Sequence, residues 1–251
     1  MSGHSKWAKI KHAKGAADSK RGAAFTKITR EITTAAKEGG GDPNTNPRLR
    51  SAIARARVIN MPSSNIENGI KKGTGELPGV VYESFTFDVY APGGVAVFVE
   101  GLTDNKNRTT AEIRNILNKK GGSLASPGST AFLFSKKGVI EVETKAISED
   151  ALMDIVLEAG ADDMMTQGDV YEITTLPANL ESVRSALEAK KVAMKSAEVT
   201  MIPTTTVKVA GVANVKSVLS FIEGLEDYED VQNVYANFDI SDEDMAAATA
   251  E

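Results

Sequence analysis

Residues 138–202 read GVIEVETKAISEDALMDIVLEAGADDMMTQGDVYEITTLPANLESVRSALEAKKVAMKSAEVTMI. Val139–Glu143 alternates apolar and polar side chains, the period of a half-buried strand. Ser148–Ala159 sets Leu152, Ile155, Val156 and Ala159 on one face of a helix. Short strands near Asp162–Met165 and Val170–Thr174 flank Gly168. Ala178–Lys190 is a second helix with Leu180, Val183 and Leu187 inward, and Glu198–Ile202 is a last strand. The order βαββαβ is a ferredoxin-like split unit. It is complete within 138–203, so the chain on either side must find its partners elsewhere.

Those partners are in each other. Before the stretch, Phe85, Phe87 and Val89 alternate with polar residues, Ala91-Pro92-Gly93-Gly94 makes a tight turn, and Val95–Glu100 is the paired strand. A helix follows from about Arg108 to Lys119, ended by Gly121-Gly122, then a strand at Thr130–Ser135. After the stretch come a strand at Val207–Val209, a helix with Val215, Leu219 and Ile222, and a final strand through Val234, Ala236, Phe238 and Ile240. These complete the unfinished ββαβ. The fold class is therefore α+β: an N-terminal helical bundle plus two ferredoxin-like α+β domains, one inserted in the other. The expected boundaries are 1–78 for the bundle, 79–137 with 204–241 for the outer α+β domain, and 138–203 for the insert. The acidic tail 242–251 is expected to fray.

The N-terminal third differs in charge. Residues 1–78 hold fifteen Lys and Arg against six Asp and Glu, a net of +9, whereas residues 79–251 carry −14. A basic end on an acidic body is the pattern of a polyanion-binding element on a soluble carrier. Lys6, Lys9, Lys11 and Lys14, with Trp7 and His12, form a lysine-rich arm with one aromatic face for stacking. A helix over Ala17–Glu38 puts Phe25, Ile28, Ile32 and Ala35 on one face and Lys20, Lys27, Arg30 and Lys37 on the other. The next helix, Pro47–Asn60, is capped by Asn46 and carries Arg48, Arg50, Arg55 and Arg57 beside its apolar stripe. Half of those arginines are expected to pair with Glu31, Glu38 or Asp42. A capping box at Ser64 and Glu67 opens a third helix, which ends at Lys71-Lys72-Gly73. All these cations suit the phosphate backbone, and no base-reading signature accompanies them.

Other chemistry finds little support. Cys is absent and the two His both lie in the arm, so thiol chemistry, a His triad and a His or Cys metal site are not expected. No Walker loop, GxGxxG after a strand or GxSxG elbow is present. No cofactor and no enzymatic activity are expected. No apolar run approaches the ~20 residues of a membrane helix, and no secretory leader is evident, so the expectation is a cytoplasmic protein without a membrane partner. The oligomeric state stays open, a monomer being compatible with the pattern. Asp104–Thr109 reads as a capped helix start that could turn Lys106 and Arg108 outward. Asp162-Asp163 and the Glu223–Asp230 cluster read as solvated acidic faces.

The motifs resemble the YebC/PmpR family. They are Gly3-His4-Ser5-Lys6-Trp7, Asn46-Pro47-Arg48-Leu49-Arg50, Asn60-Met61-Pro62, Ile70–Gly75, Tyr82-Glu83, Pro92–Ala96, Thr103-Asp104-Asn105 with Asn107-Arg108-Thr109, and Lys120-Gly121-Gly122. The resemblance spans essentially the whole chain. It implies three domains and a cytoplasmic, non-enzymatic, DNA-binding transcriptional regulator. It also implies an alternative: a translation factor that contacts rRNA or tRNA on the ribosome where proline-rich stretches stall synthesis. It raises Lys106 and Arg108 as binding residues beside those of the bundle.

Overall fold

A computed structural model of the chain describes residues 18–249. They fall into two compact units, one of residues 133–205 and one of residues 18–132 with 206–249.

Helix α1 (Asp18–Gly39) is closed by Gly40, whose φ of +84° suits a residue without Cβ. Helix α2 (Pro47–Val58) begins where Asn46 accepts a hydrogen bond from the Leu49 amide at 3.0 Å, with Pro47 in the first turn. The Asn46 amide also donates to the carbonyls of Ala35 and Gly40, tying the α1–α2 connection to both helices. Helix α3 (Ser63–Thr74) differs from expectation at its start. It begins one residue before Ser64, with Pro62 at the cap position, so no side-chain cap and no capping box form. Ile32, Ala35 and Ala36 of α1 pack with Leu49, Ala52, Ile53 and Ala56 of α2, and with Met61 and Ile66, in one small core.

Strands β1 (Glu83–Ala91) and β2 (Val95–Thr103) form an antiparallel hairpin across Pro92-Gly93-Gly94, both glycines having positive φ. Helix α4 (Lys106–Lys120) follows, then the two-residue strand β3 (Ser123–Leu124) on the outer edge of β1. The buried Asp88 carboxylate accepts from the amides of Gly128, Thr130 and Ala131 and from the Thr130 hydroxyl. Burial alone would raise that carboxyl, but these bonds outweigh it and hold it below its ordinary value.

Residues 133–205 make the second unit. They contribute β4 (Phe134–Glu143), α5 (Glu149–Glu158), β5 (Ala161–Gln167), β6 (Val170–Thr175), α6 (Leu180–Ala189) and β7 (Met194–Pro203). The sheet order is β5-β6-β4-β7, every pairing antiparallel, which is two interleaved split βαβ units. Ile140, Val142, Leu152, Val156, Ile173, Val183 and Leu187 form its core. Two strands expected at Thr130–Ser135 and Val139–Glu143 are one. Gly138 does not interrupt β4, because β6 and β7 pair with it from both sides there. Residues 131–133 are a short 3-10 turn instead.

The chain then returns to the first unit with β8 (Val207–Lys208), α7 (Val212–Glu226), β9 (Val231–Ala236), β10 (Phe238–Asp239) and α8 (Asp242–Thr249). Strand β9 joins the sheet beside β2, giving the order β3-β1-β2-β9. Strand β8 does not complete that sheet but pairs in parallel with β10 as a separate ribbon. The α7 residues Val215, Val218, Phe221, Ile222 and Leu225 fill the core over the sheet with Ile113 and Leu117 of α4. The described part of the tail does not fray. Ser241 accepts from the Asp244 amide, three acids sit in the first turn of α8, and Met245 and Ala248 are buried in the core.

Candidate nucleic-acid interface

Helix α1 has two buried faces. The apolar face meets α2 and α3. The other carries Lys27 and Arg30 into the α+β part of the same unit. Lys27 Nζ donates to the Glu226 carbonyl at 2.5 Å, at the C-terminal end of α7, where a cation complements the helix dipole. Arg30 is 7% exposed. Its guanidinium lies 5.4 Å from the centre of the Tyr82 ring, pairs with Asp230 and Glu229, and donates to the Glu229 carbonyl at 2.9 Å.

Asp230 is the centre of this contact and is fully buried. One carboxylate oxygen takes Arg30. The other accepts from the hydroxyls of Thr109 at 2.6 Å, Tyr228 at 3.0 Å and Thr103 at 3.1 Å, and from the Arg108 guanidinium at 3.2 Å. Burial pushes this carboxyl up, yet the bonds from Thr109, Arg30, Arg108 and Tyr228 outweigh it and hold the group at about 2. Asp104, at 2.5 Å, and then Asp230 raise the Arg108 guanidinium above its ordinary value. Burial, with Asp230 beside it, raises the Tyr228 hydroxyl.

This geometry corrects one site expectation and gives two other expected site residues ion-pair partners. Lys27 and Arg30 are not on a solvated positive face; they join the bundle to the α+β part. Arg108 is exposed, and its guanidinium is shared between Asp104 and the buried Asp230. Lys106 is exposed, but it pairs with Glu83 at 2.8 Å. The Thr103–Thr109 motif is a cap and clamp: Asn105 accepts from the Arg108 amide, and Thr103 and Thr109 both donate to Asp230. The Glu223–Asp230 cluster is likewise not wholly solvated. Its last member holds two guanidiniums. Asp162, in the insert, pairs with Lys137 at 2.6 Å.

The remaining described cations stay at the surface of the bundle. Arg48 pairs with Glu38, and Arg55 with Glu31, across the antiparallel α1–α2 contact. Arg50 donates to the carbonyls of Pro43 and Asn44. Arg57 is exposed and has no ion pair among the described residues. Lys71 and Lys72 are exposed in the last turn of α3, and Lys72 shares a crevice of about 350 Å³ with Lys37, Thr33, Leu77 and Tyr82. Lys6, Trp7, Lys9, Lys11, His12 and Lys14 lie outside the described residues, as does the side chain of Lys20. Among the described residues no group of His, Cys, Asp or Glu could hold a metal ion, and no helix is long and apolar enough to cross a membrane.

Residues 5–76 match the TACO1/YebC protein N-terminal domain, and residues 82–238 match the TACO1/YebC second and third domain. The chain belongs to the TACO1/YebC family. A relative from Treponema denticola, named "Probable transcriptional regulatory protein", is 58% identical over 82% of this chain and 84% of its own. One from Syntrophobacter fumaroxidans with the same name is 52% identical over 97% of this chain and 98% of its own. The crystal structure of a conserved hypothetical protein from Aquifex aeolicus superposes with a TM-score of 0.79 at 44% identity, covering 90% of this chain and 93% of that one.

Within this TACO1/YebC chain, sequence reasoning missed Asp230, Tyr228 and the ring of Tyr82 as parts of one network. The available signal was motif membership. Tyr82, Thr103, Arg108 and Thr109 all stood out by resemblance; the last three converge on one buried carboxylate, and the Tyr82 ring lies against the Arg30 that it holds.

Proposed function

We infer that this protein is a non-enzymatic regulator of gene expression that binds nucleic acid through its basic helical bundle, with DNA the target and transcription the process. The observation that carries the reading is the placement of charge. Lys27 and Arg30 are spent on internal contacts, yet Arg48, Arg50, Arg55, Arg57, Lys71 and Lys72 remain on the surface of α2 and α3. The sequence of the arm adds Lys6, Lys9, Lys11 and Lys14, with Trp7 and His12, to the same basic third of the chain. The relatives named as transcriptional regulatory proteins support DNA as the target.

Affinity should fall steeply with salt. If about five cations neutralise phosphates on duplex DNA, the log–log salt slope is expected near −4.5. Fluorescence anisotropy on a DNA duplex and on a structured RNA, across a salt series, measures it. A slope near zero on both would remove the polyanion reading. Tight binding to structured RNA alone would move the protein to translation.

A further inference from the structure

Helix α2 turns one side away from its own core. Leu49, Ala52, Ile53 and Ala56 are its buried residues. At about 100° per residue, Ser51, Ala54 and Val58 lie opposite them. All three are exposed, Val58 by 80%. Arg50 and Arg57 fall together on one flank of that face, about 10 Å apart along the axis. Arg48 and Arg55 fall together on the other flank. The four arginines therefore form two rows with short side chains between them.

Arg48, Arg55 and Arg57 are exposed, and Arg50 is half-buried. The side chains of Arg48 and Arg55 are 45% and 44% exposed even while paired with Glu38 and Glu31. The Arg48–Glu38 pair is exposed on both sides and contributes little, whereas the Glu31 that holds Arg55 is only 16% exposed. Arg57 has no ion pair among the described residues, and the Pro43 and Asn44 carbonyls hold Arg50 on its flank.

Two parallel rows of arginine beside a low ridge match two walls of phosphate beside a groove. Short residues on the ridge let the backbone approach the groove floor, while the longer arginines reach sideways. The helix is about 18 Å long and about 10 Å across. The B-form major groove, about 12 Å wide, admits a helix of that diameter. The A-form RNA major groove is deep and narrow, and its minor groove is too shallow to offer a wall on each side.

We propose that α2 lies in the major groove of duplex DNA, with Arg50 and Arg57 toward one phosphate wall, Arg48 and Arg55 toward the other, and Val58 against the base edges. The proposal rests on the bundle being the polyanion-binding end. Val58 offers an apolar contact to a thymine methyl, and none of Ser51, Ala54 and Val58 can fork onto a guanine edge. Readout is therefore shallow, with the arginine–phosphate contacts supplying most of the affinity.

The test uses the full chain, a DNA duplex and an RNA duplex of the same sequence, followed by anisotropy at one salt concentration. The DNA duplex is expected to bind at least tenfold tighter than the RNA duplex. Methyl green, which occupies the major groove, is expected to compete, and netropsin, which occupies the minor groove, is not. Ala54→Glu and Val58→Glu each place an acid on the exposed ridge without removing an arginine. Each should weaken DNA binding at least tenfold at unchanged helix content and melting temperature. Equal binding of the RNA duplex, indifference to methyl green, or wild-type affinity in both folded variants would overturn the groove assignment. Wild-type affinity in the variants, with steep salt dependence intact, would leave the basic end as the binding site by another surface. Failure of the unaltered chain to bind either duplex would remove both readings.

Discussion

A carboxylate cut off from water takes its hydrogen bonds from whatever donors the fold supplies, and Asp230 takes five side chains from four places in the sequence. Removing it should be costly chiefly because the buried Arg30 would lose its buried carboxylate and keep only the half-exposed Glu229, a carbonyl and the Tyr82 ring. Asp230→Ala is expected to destabilise the unit by about 3–5 kcal/mol, the range for breaking one side of a buried pair. Arg30→Met together with Asp230→Leu should recover much of that, since no charge is then stranded. Urea denaturation of the wild type and the two variants checks both statements, and a loss below about 1 kcal/mol in Asp230→Ala would mean the network is idle. The pH dependence has a definite sign. The folded carboxyl titrates at about 2, below its ordinary value of 3.8, so its contribution is complete above the ordinary value and is lost as pH falls through the folded one. The stability gap between wild type and Asp230→Asn should therefore be constant above pH ~4 and shrink as the pH approaches ~2. A gap that persists unchanged to the acid limit would show that the charge is not what stabilises the contact.

Elements were legible where their period was apolar. The insert reads directly because each of its strands and helices buries a hydrophobic face, and Leu152, Val156, Val183 and Leu187 all end in its core. Helix α1 was half legible. Its face of Ile32, Ala35 and Ala36 follows the apolar period, but its second face is buried through Lys27 and Arg30, and charged residues read as solvent-facing until their partners are known. Strand β8 was located at Val207–Val209, but its partner was not, because a two-residue ladder carries no alternation from which to choose one. The close packing of α1 on α3 was also silent in the sequence, since it depends on what glycines lack. A Cβ at Gly69 would sit 3.0 Å from Ile32, and one at Gly73 would collide with the Thr33 carbonyl and Ala36. Glycine inside a helix ordinarily costs about 1 kcal/mol relative to alanine. At Gly73 the order should reverse: Gly73→Ala is expected to lower the melting temperature rather than raise it, and Gly73→Val to lower it further. Stabilisation by Gly73→Ala would show that α1 and α3 can separate without penalty. The same packing carries Lys71 and Lys72 on α3, so a loosened α3 should weaken nucleic-acid binding as well.

At the scale of the molecule, the charge boundary and the structural boundary are different lines. Charge changes sign near residue 78, but the bundle shares a compact unit with the outer α+β elements, joined at Arg30 and Asp230. A fragment beginning at residue 79 would keep Asp230 and lose Arg30, so it should fold poorly despite containing nearly all of the α+β sequence. The compact unit of residues 133–205 is the better cut. It owns a complete antiparallel sheet, two helices and a separate core. It holds seven Lys and Arg against thirteen Asp and Glu, a net of −6, so it should repel a polyanion within the ~8–10 Å screening length. Expressed alone, residues 133–205 are expected to fold cooperatively and to bind neither DNA nor RNA. In the full chain, Asp230→Ala should lower the unfolding transition of the unit that contains it and leave the transition of the insert where the isolated fragment places it. Calorimetry on the fragment, the full chain and the variant gives the comparison. If the variant moved both transitions equally, the two units would unfold as one body. If the isolated insert bound nucleic acid as tightly as the full chain, the binding surface would lie outside the bundle, and the placement of charge would have lost its meaning for function.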